Sequence, residues 1–449
     1  MRSRIFVAAF YVTQGLMILS TIFSLLAASA PESPPGNMVS FLNWLFWLMI
    51  GVPLLFFMPL LGFGALHSEM KARTLELVFL TRLSAWRIVF GKWAALMAET
   101  LLLVCSILPY VILRYFLGGV DILEDLQGLF FLLIGSALLT ATTLAMSPYE
   151  SKLLRALFVL GLIFVFQSSI GVLLAWIAFS GSGASSGSVI RLWQVYLILL
   201  AFVPAYLLLA LEIAASRIAP PAENHAVRKR LIGVYLLVIV PLLTWVVPNA
   251  RGLHFVSLVL LAVIIVDGLA EPIENLRAVR RPFADLGPAG RSLALFFSPG
   301  WASASWYFLL VAGLGGVMLY SQSRLDDNIE LLDYVCYLGT LIFPAALIRL
   351  FRPSTRYFLG FYVVIHVLLV AVTFFVGMLS EISGEPLTKW LCPIPNCVFL
   401  LRLSDQITAH QAGEFLRFTG LVTAGSLGIL LLRGMPWVQG NAQSVRAAP

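Results

Sequence analysis

Charged side chains are scarce in this sequence. Asp, Glu, Lys and Arg together make up 11% of 449 residues, against 60% apolar residues and a mean hydropathy of +0.95. Soluble domains carry about 25% charged residues, so a water-soluble globule is excluded and most of the chain must have a bilayer as its solvent. Also missing is any stretch of the form G-x-x-x-x-G-K-[ST], the loop whose backbone amides cradle nucleotide phosphates. Gly91-Lys92 is followed by Trp93 at the edge of an apolar run and is no such loop. With five histidines and four cysteines, no cluster has the spacing of a tetrahedral metal site, so no metal and no cofactor is expected on this chain. Long polar stretches are lacking too: only the turn GSGASSGS at 181–188 and the tail VQGNAQSVRAAP read as linkers.

What remains is apolar sequence in runs. About 20 apolar residues cross a hydrocarbon core of roughly 30 Å as a helix. Twelve such runs lie near 6–30, 39–66, 93–117, 127–147, 155–179, 190–215, 231–249, 252–270, 302–320, 331–350, 358–379 and 418–432. The start, MRSRIFVAAFYVTQGLMILSTIFSLLAASA, resembles a secretory signal, but its apolar region exceeds the roughly 7 to 15 residues of such signals and reads as a first span. The expected fold is therefore all-α, a polytopic transmembrane helical bundle of about twelve spans. Orientation follows from the basic residues, which favour cytoplasmic loops. Of the 29, only Arg114, Arg191, Arg251, Arg324, Lys389, Arg402 and Arg417 fall on the side opposite the N-terminus, where the loops DILED and LDDNIE are acidic. Both termini are thus expected in the cytoplasm. The net charge of +7 reflects this asymmetry; the basic residues form no stripe, and no nucleic-acid partner is expected.

Cys105 and Cys336 lie inside apolar runs and read as filler. Cys392 and Cys397, in WLCPIPNCVF, share the longest loop on the outer side. A disulfide between them is one reading there. Zinc with His410 as a third ligand is the other, although no further His or Cys completes the set.

The segment RIAPPAENHAVRKR, within 216–230, marks a boundary between two groups of six spans, 1–216 and 217–449. The second is either a diverged repeat or an unrelated extension. In each group the longest cytoplasmic connector follows the second span, at 67–92 and at 271–301. The first connector holds Lys71, Arg73, Arg82, Arg87 and Lys92. Thr74 can cap a short helix with Glu76 in its first turn, and Ser84 can cap the next, which runs through Trp86, Ile88, Val89 and Phe90 into the third span. A break at 81–84 between them would expose Leu77, Val78, Phe79 and Leu80. These suit lipid headgroups, neighbouring spans or a groove on a soluble partner. The plainer alternative is a positively charged topogenic loop with an interfacial helix.

The order Glu69, Thr74-Leu75-Glu76, Leu80-Thr81, Leu83-Ser84 and Ile88-Val89-Phe90-Gly91-Lys92 resembles the signature of ABC-2-type permeases, the membrane subunits of ABC transporters. In that family the segment commonly reads as an acidic residue, then GTLELLL, TPLS and EIVLGK, after the second span. The resemblance covers about 24 residues in detail and extends through the six-span layout to 1–216; residues 217–449 lie outside it. It implies that Glu69, Thr74, Leu75, Glu76, Leu77, Leu80, Arg82 and Ser84 couple the chain to a separate cytosolic ABC ATPase, which would hold the ATP and Mg. It further implies an exporter in the plasma (inner) membrane, with a second permease chain in a homodimer or heterodimer. Three positions depart: Arg73 replaces the usual glycine, Arg82 the usual proline and Arg87 the usual glutamate. The losses change turn geometry and remove half of a capping box.

Ionisable residues inside spans cost about 3 kcal/mol or more unless paired. Glu99 and His366 are therefore candidate pathway residues, whereas Glu212 and Asp267 lie near enough to headgroups to be read as hydrated. Pro53, Pro59, Pro109, Pro204, Pro241 and Pro344 should bend their spans. Two other classes of function compete. One is a membrane-embedded transferase acting on lipid-linked substrates, with Asp121, Glu124 and Asp125 on a divalent ion. The other is a non-transporting scaffold that retains the docking connector.

Overall fold

The computed structural model describes residues 2–28, 36–71, 83–117, 121–149, 192–220, 223–247, 252–272, 283, 285–322, 328–352, 355, 357–383, 391, 393–403 and 409–446. The regular structure among them is helical throughout. Nine of these helices are long and apolar enough to cross a membrane, ten if one bent pair counts as a span. The protein is a multi-pass integral membrane protein. The difference from twelve has three sources. The run at 155–179 lies outside the described residues. The run at 252–270 forms a helix whose apolar part, Val256–Ala270, is short for a crossing. The run at 302–320 is one arm of the bent pair.

The chain divides into two compact units, Met1–Ala219 and Pro220–Pro449. The first contains α1 (Arg2–Ala28), α2 (Gly36–Val52), α3 (Met58–Phe63), α4 (His67–Lys71), α5 (Ala85–Leu117), α6 (Ile122–Met146) and α7 (Leu192–Ile218). Between α2 and α3, Pro53–Phe57 forms a π-helical turn in which Met58 N donates to Pro53 O, a step of five residues. Pro53, which has no amide proton to continue the α-helical ladder, stands at the start of this turn. Trp47, Ile50, Leu54 and Met58 from this bent span pack with Leu96, Leu103 and Ile107 of α5 and with Leu129 and Leu132 of α6. Close approach of α2 to α6 needs Gly128, because a Cβ there would overlap the Trp47 ring. Near the end of α5, Arg114 donates to Asn43 Oδ1, lies 3.7 Å from Asp125 Oδ2 and covers the Phe46 ring at 4.3 Å.

The second unit contains α8 (Ala226–Val246), α9 (Gly252–Ala270), α10 (Gly287–Phe297), α11 (Trp301–Gln322), α12 (Asn328–Phe351), α13 (Phe358–Ser383), α14 (Pro395–Leu403) and α15 (Ala409–Arg446). Its most extensive helix pairing is α12 on α15. Tyrosines tie its helices together by donating to main-chain oxygens: Tyr307 to Arg230 O at 2.9 Å, Tyr337 to Leu258 O at 2.5 Å and Tyr362 to Leu341 O at 3.0 Å. A phenol in hydrocarbon has no water to donate to, and a helix carbonyl keeps a free lone pair. The helices α10 and α11 meet at 93° across Ser298–Gly300. Gly300 has φ 111°, a backbone conformation that a side chain would strain. Pro109, Pro204, Pro241 and Pro344 all sit within continuous helices.

Replacing Gly128 by Val should drive the Trp47 ring out of its slot and lower stability by about 1–3 kcal/mol. Thermal unfolding of the detergent-solubilised protein would register this as a lower midpoint, and an unchanged midpoint would contradict the packing described.

Candidate functional site

Of the residues singled out by the resemblance, Glu69 and Ser84 stand at the two ends of the 67–92 connector, and three helices build its root. Thr143 and Ser147 occupy one face of α6, four residues apart, and reach the end of the second span. Thr143 Oγ1 donates to Pro59 O at 2.7 Å. Ser147 Oγ accepts from Leu66 N and His67 N, each at 3.0 Å. These are amides at the start of α4, which the helix itself leaves without partners. A single oxygen from α6 thus sets the direction in which the connector leaves the span.

Glu69, on α4, forms an ion pair with Lys92 of α5, both side chains about a quarter exposed. The pair closes the connector where it enters and where it rejoins a span. Ser84 immediately precedes α5 and its carbonyl accepts from Ile88 N at 3.3 Å, the position expected of a cap. Thr74, Leu75, Glu76, Leu77, Leu80 and Arg82 lie outside the described residues. The first turns of α5 carry stacked aromatics, Trp86 on Phe90 at 6.3 Å and Phe90 on Trp93 at 5.8 Å. Such rings favour the headgroup level and place the root there. Arg217 of α7 covers the Tyr149 ring at 5.0 Å, just beyond α6.

The remaining sequence candidates belong to different units. Glu99 lies within α5 of the first unit and His366 within α13 of the second. His366 Nδ1 donates to Tyr362 O at 2.9 Å, and its ring is 4.5 Å from that of Tyr362. Cys397 is a free, buried thiol near Leu369 O at 3.8 Å, while Cys392 lies outside the described residues. Burial pushes the Cys397 thiol up from its ordinary pKa, against a smaller opposing effect of the Thr373 hydroxyl. Among the described residues no group of three His, Cys, Asp or Glu is placed to hold a metal ion. Asp121 instead caps α6 by accepting from Leu123 N at 2.9 Å, and Asp125 faces Arg114.

One expectation is corrected: Glu212 and Asp267 are not hydrated at headgroups, being 2% and 5% exposed. Lys229 and Arg230, from the basic cluster of the boundary segment, are buried at the start of α8. Lys229 Nζ pairs with Asp267 and, at 2.6 Å, with Glu271 Oε1. Arg230 donates to Phe296 O at 2.6 Å, Ser298 O at 2.8 Å and Ser303 Oγ at 2.9 Å, so its guanidinium caps the end of α10 and fills the elbow. Glu271 Oε2 accepts from Gly300 N at 3.1 Å on the other side. Nearby, Arg349 donates to Leu269 O at 2.6 Å and lies against Trp301 and Phe358, at 5.1 and 4.6 Å from the ring centres. The signal for this cluster is the spacing of Asp267 and Glu271, four apart on one helical face, opposite a Lys-Arg pair at the start of the preceding helix.

Removing one member of a buried charge set leaves the rest uncompensated, at about 3–5 kcal/mol. Asp267→Asn should therefore lower the unfolding midpoint far more than Asp267→Leu combined with Lys229→Met. Equal losses in the two variants, measured by thermal unfolding, would show that charge balance is not what holds the elbow.

Comparison of the chain with protein-family models, with curated proteins and with solved structures finds no match.

Proposed function

We propose that the chain is the membrane-spanning permease subunit of an ABC transporter of the ABC-2 type, an exporter of the plasma (inner) membrane. A separate cytosolic ATPase docks on the 67–92 connector and carries out nucleotide hydrolysis; this chain is itself no enzyme. The observation that supports the reading is the ion pair between Glu69 and Lys92. These residues open and close the segment that resembles the family's coupling element, and their pairing ties its two ends together.

In this reading, closure of the ATPase around nucleotide displaces the connector. The displacement reaches α6 through the amides held by Ser147, and α5 through Lys92. The spans then exchange between two packings that open to opposite sides. The transferase reading is less well supported, because Asp121 already caps a helix and Asp125 already faces an arginine.

Purification in a mild detergent should recover a nucleotide-binding chain. Glu69→Lys or Lys92→Glu should each lower its recovery about fivefold, as loss of ~1 kcal/mol does, and the two together should restore it. Joint charge reversal at Glu76 and Arg82 should weaken capture while the spans stay folded. If crosslinkers placed at Leu77 and Arg82 in native membranes capture no nucleotide-binding chain, the reading fails.

A further inference from the structure

The chain turns into α10 at Gly287, whose φ of 63° a side chain would strain, and Pro288 follows in the first turn, where a helix needs no amide donor. Eleven residues make α10, a length of about 16 Å, and it meets the elbow at 93° to α11. Such a helix is far short of the roughly 20 residues that cross a bilayer. Its place in the molecule is set by the elbow.

That elbow stands where neighbouring helices end. Glu271, the residue after α9, accepts from Gly300 N at 3.1 Å. Gly268, close to the end of α9, packs so tightly that a Cβ there would come 3.0 Å from Ala304 Cβ, and Gly300 precedes Ala304 by about one helical turn. Arg230, in the second turn of α8, reaches Phe296 O, Ser298 O and Ser303 Oγ. The elbow is therefore within about a turn of the level at which α9 ends and α8 begins. Two contacts about a turn apart, Ser303 on Arg230 and Tyr307 on Gly233, run α11 alongside α8, which is long and apolar enough to cross a membrane. A helix perpendicular to α11 at that level runs along the membrane surface.

The two flanks of α10 differ. Gly290 is buried, and a Cβ on it would overlap Phe283 O. Leu286, Ala289 and Leu293, spaced to line one face of a helix, are exposed, the leucines by 57% and 43%. For apolar side chains at this level the favourable medium is the boundary between headgroups and acyl chains, where a helix lying in the plane buries its apolar face about 5–10 Å deep. We propose that α10 is an in-plane membrane anchor, with Leu286, Ala289 and Leu293 seated in the lipid at that boundary. Arg230 and Glu271 brace the elbow, so that α11 descends into the bilayer while α10 stays on its surface. The end of the 271–301 connector is then bound to lipid, where charge counting places a cytoplasmic loop. Anchoring of α10 does not depend on an ATPase docking at 67–92.

The test uses the purified full chain in lipid nanodiscs. With a phospholipid carrying a diazirine at the headgroup end of its acyl chain, illumination and mass spectrometry of the digest should find adducts on Leu286, Ala289 and Leu293. With the diazirine at the chain terminus, adducts should appear at Val238, exposed midway along α8, and fall several-fold over α10. Hydroxyl radicals generated in the water should oxidise the two leucines several-fold less than in the chain unfolded in urea. Leu286→Glu combined with Leu293→Glu should remove the adducts over α10 while those at Val238 persist. Strong oxidation of the leucines without lipid adducts would place this face in water, and chain-terminal adducts equal to those at Val238 would place it in the hydrocarbon core. Absence of both labels would mean that protein, such as a second copy of the chain, covers it. Each of these three results overturns the proposal, and all are read on the wild-type chain, so misfolding of the variant leaves them intact.

Discussion

A bilayer offers no hydrogen-bonding partners, and that constraint decides where this chain can place its few polar side chains. In the second unit it draws charged side chains into a buried cluster. Lys229, Arg230, Asp267 and Glu271 neutralise one another, the spare donors of Arg230 go to main-chain oxygens at the elbow, and tyrosine hydroxyls reach carbonyls of neighbouring helices. In the first unit it draws Glu69 to Lys92 and Arg114 towards Asp125, at the two ends of α5. Apolar packing cannot explain such a distribution, because lipid is as apolar as a leucine side chain and gives helices no hydrophobic reason to associate.

The same constraint links the fold to the proposed coupling. A connector leaving a span must have its first amides satisfied at the membrane boundary, and Ser147 does this from a different span. The connector's direction is therefore a property of the packing of α3 on α6, and any change in that packing changes where the connector points. The reciprocal also holds: a pull on the connector bears on the α3–α6 contact through one oxygen atom.

Much of the fold is legible in hydropathy alone, since runs of twenty apolar residues have few alternatives. The exceptions are instructive. The bent pair α10 and α11 is announced by Ser298-Pro299-Gly300, a turn signal at the lip of an apolar run, and the 93° angle depends on the positive φ of Gly300. The basic cluster at Arg228, Lys229 and Arg230 reads as cytoplasmic loop by charge counting, yet only Arg228 is exposed. Counting charges ignores their pairing, and the acidic partners are some 40 positions away in the sequence. Of the candidate coupling residues, only Glu69 and Ser84 fall within the described residues. Ser147 escapes a motif-based reading because it belongs to a different span and acts only through geometry.

The π turn at Pro53–Phe57 has a geometric corollary. Each residue of an α-helix advances the azimuth by about 100°, so one extra residue in a turn offsets the two ends of the second span by a comparable angle. That offset lets Trp47 meet Gly128 while Pro59, further along the same span, meets Thr143. The span behaves as two rotors clutched at a fixed phase, and a torque that tightened the turn back to α-helical pitch would bring one contact into mesh only by throwing the other out.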